Sequence, residues 1–188
     1  MSKIRIVGFS GNVARPSRTR GLVKVVLDEI AARGLGETQL FDLVDVGAEF
    51  AGAYRRADLS PQAQIIAASI EQADAIVVGS AIYKGAYSGL FKHFFDLFEP
   101  AALTGKPAIL TATGGSARHA LVVETHLRPL FSFFNVISAP AGIFATETDF
   151  NGYEDIKDSL SARIDEAIGQ FTRLLPAPIA ATPLSRIA

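Results

Sequence analysis

GFSGNVARPSRTRGL (residues 8–22) leaves an apolar run, passes through small and hydroxyl residues beside Arg15, Arg18 and Arg20, and resumes an apolar pattern of helical period. The run it leaves, 4–9, is rich in β-branched residues. Beyond the loop, Leu22, Val26 and Ile30 recur at i, i+4 and i+8, with Val23 and Leu27 beside them. Strand, polar loop and amphipathic helix in that order open a βαβ unit.

The alternation continues along the chain. Further β-branched runs lie at 38–43, 75–79, 107–112 and 136–144, and helical periodicity returns at Ile66 and Ile70 behind Pro61, a residue suited to a helix start. A last amphipathic helix runs over 155–175 through Ile156, Leu160, Ile164, Ile168 and Leu175. The third and fourth runs are continuously apolar, as strands covered on both faces are. The pattern predicts an α/β fold, a five-stranded parallel sheet with helices on both faces. It fills a single domain over 1–175, with an extended tail at 176–188. Such sheets bind ligands beyond the carboxyl ends of their strands, at the topological switch point, so the loops after the first, third and fourth strands are the ones to compare.

Composition removes several function classes. The 188 residues are 49% hydrophobic and 20% charged, a globular balance, and the formal net charge of −1 is not that of a nucleic-acid-binding protein. Without cysteine there is no disulfide, thiolate ligand or thiol redox chemistry, so any redox role needs a bound cofactor. The apolar start is too short for a signal peptide and no run reaches membrane-spanning length; a cytoplasmic protein is expected.

The first loop suits an anion. A helix N-terminus offers free N–H donors and the positive end of a dipole; Ser17 and Thr19 add hydroxyls, and the arginines add charge. Neither a Walker pattern nor G-x-G-x-x-G is present, which favours a phosphate monoester over a triphosphate or pyrophosphate. The alternative is a hydroxyl helix cap with solvated arginines. The second loop, SAIYKGAYSG (80–89), pairs two tyrosines with two glycines; exposed backbone beside an aromatic suits a flat heterocycle, although both tyrosines can be loop anchors. The third, TATGGSARH (111–119), carries Gly114 and Gly115, which permit close approach by a ligand or simply a turn. One loop for phosphate and two for a planar ring describe a single ligand, flavin mononucleotide.

RPSRT (15–19), AIYKGAYSGLFKHFFDL (81–97) and ATGGSARHALVVETHLRPLF (112–131), in that order and spacing, resemble the NADPH-dependent FMN reductase family of flavodoxin-like fold. The closest resemblance is to the flavin reductases of two-component alkanesulfonate and methanesulfonate monooxygenase systems, and it extends to about residue 175. It implies that NADPH or NADH passes hydride directly to FMN with no catalytic side chain, and that reduced flavin leaves for a separate flavin-dependent monooxygenase. It places the phosphate at Ser17, Arg18 and Thr19, one side of the ring at Ile82, Tyr83 and Lys84, and the ring's other polar edge at Thr113, Gly114, Gly115 and Ser116. Where the family has Gly-Ser-x-Arg this chain has Gly11-Asn12-Val13-Ala14; Ser10, Asn12 and Arg15 are taken as completing the phosphate set, with Asn12 donating through its amide and Arg15 replacing the arginine. His119 is a candidate contact to flavin or nicotinamide, and Arg118 to a 2′-phosphate. The residues Glu124, Thr125 and His126 fall where members of this group carry a π-type bulge, associated with their tetramer and with flavin exchange.

Two features lie outside that set. His93, His119 and His126 lack the spacing of a metal site, and no metal is expected. Leu90, Phe91, Phe94, Phe95, Leu97 and Phe98 cover more than one face of a helix, which predicts a contact with a second subunit and hence a homodimer or homotetramer. The rival functions are an FMN-retaining quinone, azo-dye or metal-ion reductase, a flavodoxin-like electron carrier, and a non-redox phospho-ligand binding module. No nucleic-acid or membrane partner is expected.

Overall fold

The computed structural model describes residues 3–176; the predicted tail, beyond Pro176, lies outside the described residues. Strands β1 (Arg5–Ser10), β2 (Glu37–Asp42), β3 (Ala75–Tyr83), β4 (Ala86–Tyr87), β5 (Pro107–Gly114), β6 (Ile137–Ser138) and β7 (Ile143–Thr146) alternate with helices α1 (Arg18–Ala32), α2 (Leu43–Val46), α3 (Pro61–Gln72), α4 (Gly89–Asp96), α5 (Arg128–Phe133) and α6 (Asp158–Thr172). The sheet runs β2-β1-β3-β5-β6, with β7 also on β5, and every pairing in it is parallel except the β3–β4 hairpin. This is the flavodoxin-like order, with its switch point between β1 and β3.

The expected fifth strand at 136–144 is one strand position in two pieces. β6 pairs with the start of β5 and β7 with its end. Pro140 stands in the gap, where it has no N–H for the ladder, and Ala141 N–H turns instead to Gln170 Oε1 at 2.6 Å. Arg128 holds the gap by donating to Ser138 Oγ, Ala139 O and Pro140 O.

Each sheet face has its own core. Ile6, Leu22, Val23, Val26, Ile30, Ile164, Ile168 and Phe171 pack α1 and α6 on one face. Gly8 seats α1 against β1: a Cβ there would stand 2.4 Å from Leu27 Cδ1. The other face is a phenylalanine cluster centred on Phe9, whose ring lies 4.6 Å from Phe94 and 5.6 Å from Phe95, with Phe95 5.0 Å from both Phe91 and Phe131.

This packing corrects the expected role of α4. Phe91, Phe94 and Phe95 are fully buried within the single chain and Phe98 is 6% exposed, so these rings do not form a subunit contact. The helix is short and roofed on several sides: Phe50 packs edge-on against Phe94, Phe131 and Phe134 flank Phe95, and Arg56 lies over Phe98. Its outward side carries the Lys92–Asp96 ion pair and the partly exposed Leu90.

Candidate functional site

The carboxyl ends of the strands open into a cavity of about 430 Å³, within the range of small-molecule sites. Four segments line it: the loop after β1 into α1 (Asn12, Val13, Ala14, Pro16, Ser17, Arg18, Thr19), the end of β3 (Ala81, Ile82, Tyr83), the end of β5 (Thr113, Gly114, Gly115), and the segment after β7 (Thr146, Glu147, Phe150, Tyr153).

Ser17 is the N-cap of α1 and its hydroxyl accepts from Arg20 N–H at 3.3 Å. The amides of Arg18 and Thr19 sit in the first turn, where the helix itself supplies no acceptor. Thr19 is buried, and its hydroxyl shares a 2.6 Å hydrogen bond with Thr113, tying the helix start to the end of β5. Arg18 pairs with Glu147 at 2.6 Å and stacks over Tyr153 at 5.3 Å, while its Nε is buried with no hydrogen-bond partner among the described residues. A helix N-terminus, a cap hydroxyl and a guanidinium at one end of the cavity form a donor set that fits a phosphate monoester.

The loop is held from below by Asp42, the fully buried last residue of β2. Asp42 accepts from Arg15 Nε at 2.8 Å and Nη2 at 2.7 Å, from Asn12 Nδ2 at 3.0 Å, and from Val44 and Asp45 N–H at 2.9 and 3.1 Å. Arg20 Nε lies 3.0 Å away as a further ion-pair partner, off-line for a hydrogen bond. Burial pushes the Asp42 carboxyl up, but hydrogen bonds from Arg15 and Asn12 outweigh it and hold the group below the ordinary carboxylate value. Arg15 is raised in turn by its hydrogen bonds to Asp42 and Asp45.

This network relocates three expected phosphate ligands. Arg15 is spent on Asp42 and Asp45, the latter at 2.6 Å, and does not line the cavity. Asn12 lines it, but its amide hydrogens go to Ala14 O and Asp42, so it braces the loop. Ser10 is fully buried beneath the loop, outside the lining.

At the end of β3, Ile82 and Tyr83 line the cavity, Tyr83 at 59% exposure. Lys84 does not. With Gly85 it forms the two-residue turn between β3 and β4, at φ 53° and 87°. Two positive φ values are those of a type I′ hairpin, and they carry Lys84 to the exposed tip. Opposite, Gly114 and Gly115 line the cavity, with nothing within 4 Å of where a Gly115 Cβ would stand. Ser116 instead caps the 3-10 turn Ala117–His119, accepting from Arg118 N–H; His119 and Arg118 are exposed on that turn outside the lining.

Sequence reasoning missed Asp42, Glu147, Phe150 and Tyr153. Asp42 was legible as an acidic residue directly behind Leu40 and Phe41 at the end of the second strand run. The wall after β7 had a signal too: Thr146-x-x-Asp149, a capping pattern behind the last strand. In the structure Asp149 accepts from Thr146 N–H and Oγ1 and pairs with Arg163 at 2.7 Å. Tyr153 is seated by Gly21, where a Cβ would stand 1.8 Å from the Tyr153 carbonyl oxygen.

The bulge expected at 124–126 is present as a five-residue π-helix, Val123–Leu127, with His126 edge-on to Tyr87 at 6.2 Å. His93 meets Phe50 O at 3.1 Å. Among the described residues no helix is long and apolar enough to cross a membrane.

Residues 4–151 match the family model described as NADPH-dependent FMN reductase. The chain is 42% identical over 161 residues to the NADH-dependent FMN reductase SfnF of Pseudomonas fluorescens, covering 86% of each. It is 40% identical over 163 residues to an FMN reductase (NADPH) of Pseudomonas aeruginosa, covering 87% of this chain and 88% of that one. Among solved structures it is similar to the apo form of the NADH:FMN oxidoreductase EMOB, at TM-score 0.82 and 28% identity over 94% of this chain and 92% of that one.

Proposed function

The chain belongs to the NADPH-dependent FMN reductase family and is an NAD(P)H-dependent FMN reductase; on that premise we propose that it reduces FMN in this cavity and hands the product to a sulfonate-type monooxygenase. One observation carries the reading: the first turn of α1, the end of β3 and the end of β5 meet around one cavity, which brings the anion donors and the open glycine backbone into one lining. Ser17, Arg18 and the amides of the first helical turn hold the phosphate; Thr19 fixes that turn through Thr113. Ile82, Tyr83, Gly114 and Gly115 hold the ring. When bound, the flavin supplies the redox chemistry, accepting hydride from the nicotinamide nucleotide. The chain positions both molecules and supplies no nucleophile.

The relatives' names give FMN as the molecule reduced, with NADH in one and NADPH in another, which supports FMN as a substrate that comes and goes. The monooxygenase and the sulfonate class rest on the resemblance in the three loops. The same resemblance supports a cytoplasmic homodimer or homotetramer, whose contact lies elsewhere than on the buried rings of α4; a monomer in sedimentation at micromolar concentration removes that assembly.

Stopped-flow reduction by NADPH and NADH, with and without excess free FMN, tests the supplier role. The purified protein is expected to carry little flavin, FMN is expected to saturate as a substrate, and its reduced product is expected to support a flavin-dependent monooxygenase across a dialysis membrane under anaerobic conditions. Protein that purifies fully yellow, and turns over quinone unchanged without free FMN, is the flavin-retaining reductase instead.

A further inference from the structure

The phosphate end of the cavity contains its own anion. Glu147 Oε1 stands 2.6 Å from Arg18 Nη1, and both residues line the same cavity. The glutamate is the first residue of the 3-10 turn Glu147–Asp149, and the turn does not depend on Arg18 for its position. Asp149 is held by Thr146 and by Arg163, whose guanidinium also donates to Phe144 O at 2.6 Å. On the other side, Arg18 is held over Tyr153. A carboxylate carried on a braced turn therefore faces a guanidinium stacked on Tyr153 where a phosphate monoester would enter.

We propose that Glu147 sets the strength of flavin binding: its carboxylate competes with the FMN phosphate for Arg18, weakening the complex and speeding flavin release. The proposal rests on the reading that the phosphate docks at Ser17, Arg18 and Thr19. An incoming phosphate must displace the carboxylate from Arg18. The displaced group then stays near the bound phosphate, held there by its turn, and takes Arg18 back when the flavin leaves. Glu147 is 67% exposed and Arg18 36%, so the competition is that of a solvent-screened ion pair, worth about two- to fivefold in affinity. That magnitude suits a protein that must release its flavin in every cycle.

The test is a double-mutant cycle of Glu147→Gln and Arg18→Ala, read as equilibrium binding of FMN and of riboflavin and as the FMN dissociation rate. Glu147→Gln is expected to tighten FMN about two- to fivefold, to slow its dissociation and to leave riboflavin unchanged. In the Arg18→Ala background most of the gain should be lost, leaving only the direct repulsion between carboxylate and phosphate. Unchanged or weaker FMN binding by Glu147→Gln overturns the proposal, as does equal tightening of riboflavin, or a gain that persists in full without Arg18. Arg18→Ala alone reports on the underlying reading. If it weakens FMN but not riboflavin, the phosphate site stands whatever Glu147 does; if it leaves FMN unchanged, the site and the proposal fall together.

Discussion

The two ends of the cavity are built differently. At the phosphate end the loop is locked from beneath by a fully buried carboxylate, with two guanidinium groups and an amide around it. At the ring end the lining comes from an exposed hairpin and a glycine pair, with Tyr83 standing mostly in solvent. A charged group with several acceptor oxygens, such as phosphate, is held well only by donors that are already in place, because ordering them on binding would consume the affinity. A ring that must meet a second planar molecule needs the opposite, a face left open. Substitutions at the phosphate end should therefore alter both stability and binding, and substitutions of the cavity-lining residues at the ring end binding alone.

The largest effect is expected at Asp42. Asp42→Ala removes the acceptor shared by Arg15, Asn12 and the start of α2 and leaves Arg15 with Asp45 alone, a loss of about 3 kcal/mol in unfolding free energy, with FMN affinity falling alongside. Urea denaturation and flavin titration on the same preparation check both. A loss of binding at unchanged stability would remove the idea of a locked scaffold.

The same group predicts a pH dependence. Because the folded Asp42 carboxyl lies below its ordinary value, its contribution is complete above the unfolded value of about 3.9 and is lost as pH falls through the folded one. Urea midpoints from pH 7 down to pH 3 should fall more steeply for the unaltered protein than for Asp42→Asn. Parallel curves would place the acid sensitivity in other carboxylates.

Next in size is the double substitution of Ser17 and Arg18 by alanine. Hydrogen bonds to a charged group are worth about 1.5–3 kcal/mol, so FMN should weaken tenfold or more while riboflavin changes little. An equal loss for riboflavin would show that this end does not hold the phosphate.

At the ring end, Tyr83→Ala should cost about 0.5–1.5 kcal/mol of binding to FMN and riboflavin alike. The urea midpoint should stay put, since the side chain is largely exposed. A stability loss comparable to that of Asp42→Ala would erase the distinction between the ends. Smallest is Lys84→Asn: asparagine tolerates the positive φ of this turn better, so the hairpin should gain up to about 1 kcal/mol with FMN affinity unchanged. A clear drop in FMN affinity would return Lys84 to the site.

Much of this molecule was decided along the chain. The continuous apolar runs and the period-3.6 patterns specify strands and helices because a central strand is buried on both faces and a helix on one, and their alternation dictates a parallel sheet with both faces covered. Ser17 as a helix cap and the glycine pair behind β5 are local features too, since capping and turns involve neighbours in sequence. What the tertiary structure alone decided is which charges are left to meet a ligand. Arg15 and Arg18 look alike in RPSRT, but β2 lies beside β1 in the sheet and brings Asp42 under the loop, while β7 brings Glu147 against Arg18. The phenylalanines of α4 are likewise only an apolar face in sequence, and became core because Phe9 and Phe131 close over them. Burial and ion pairing depend on groups tens of residues away, and no local pattern reports which of them arrives.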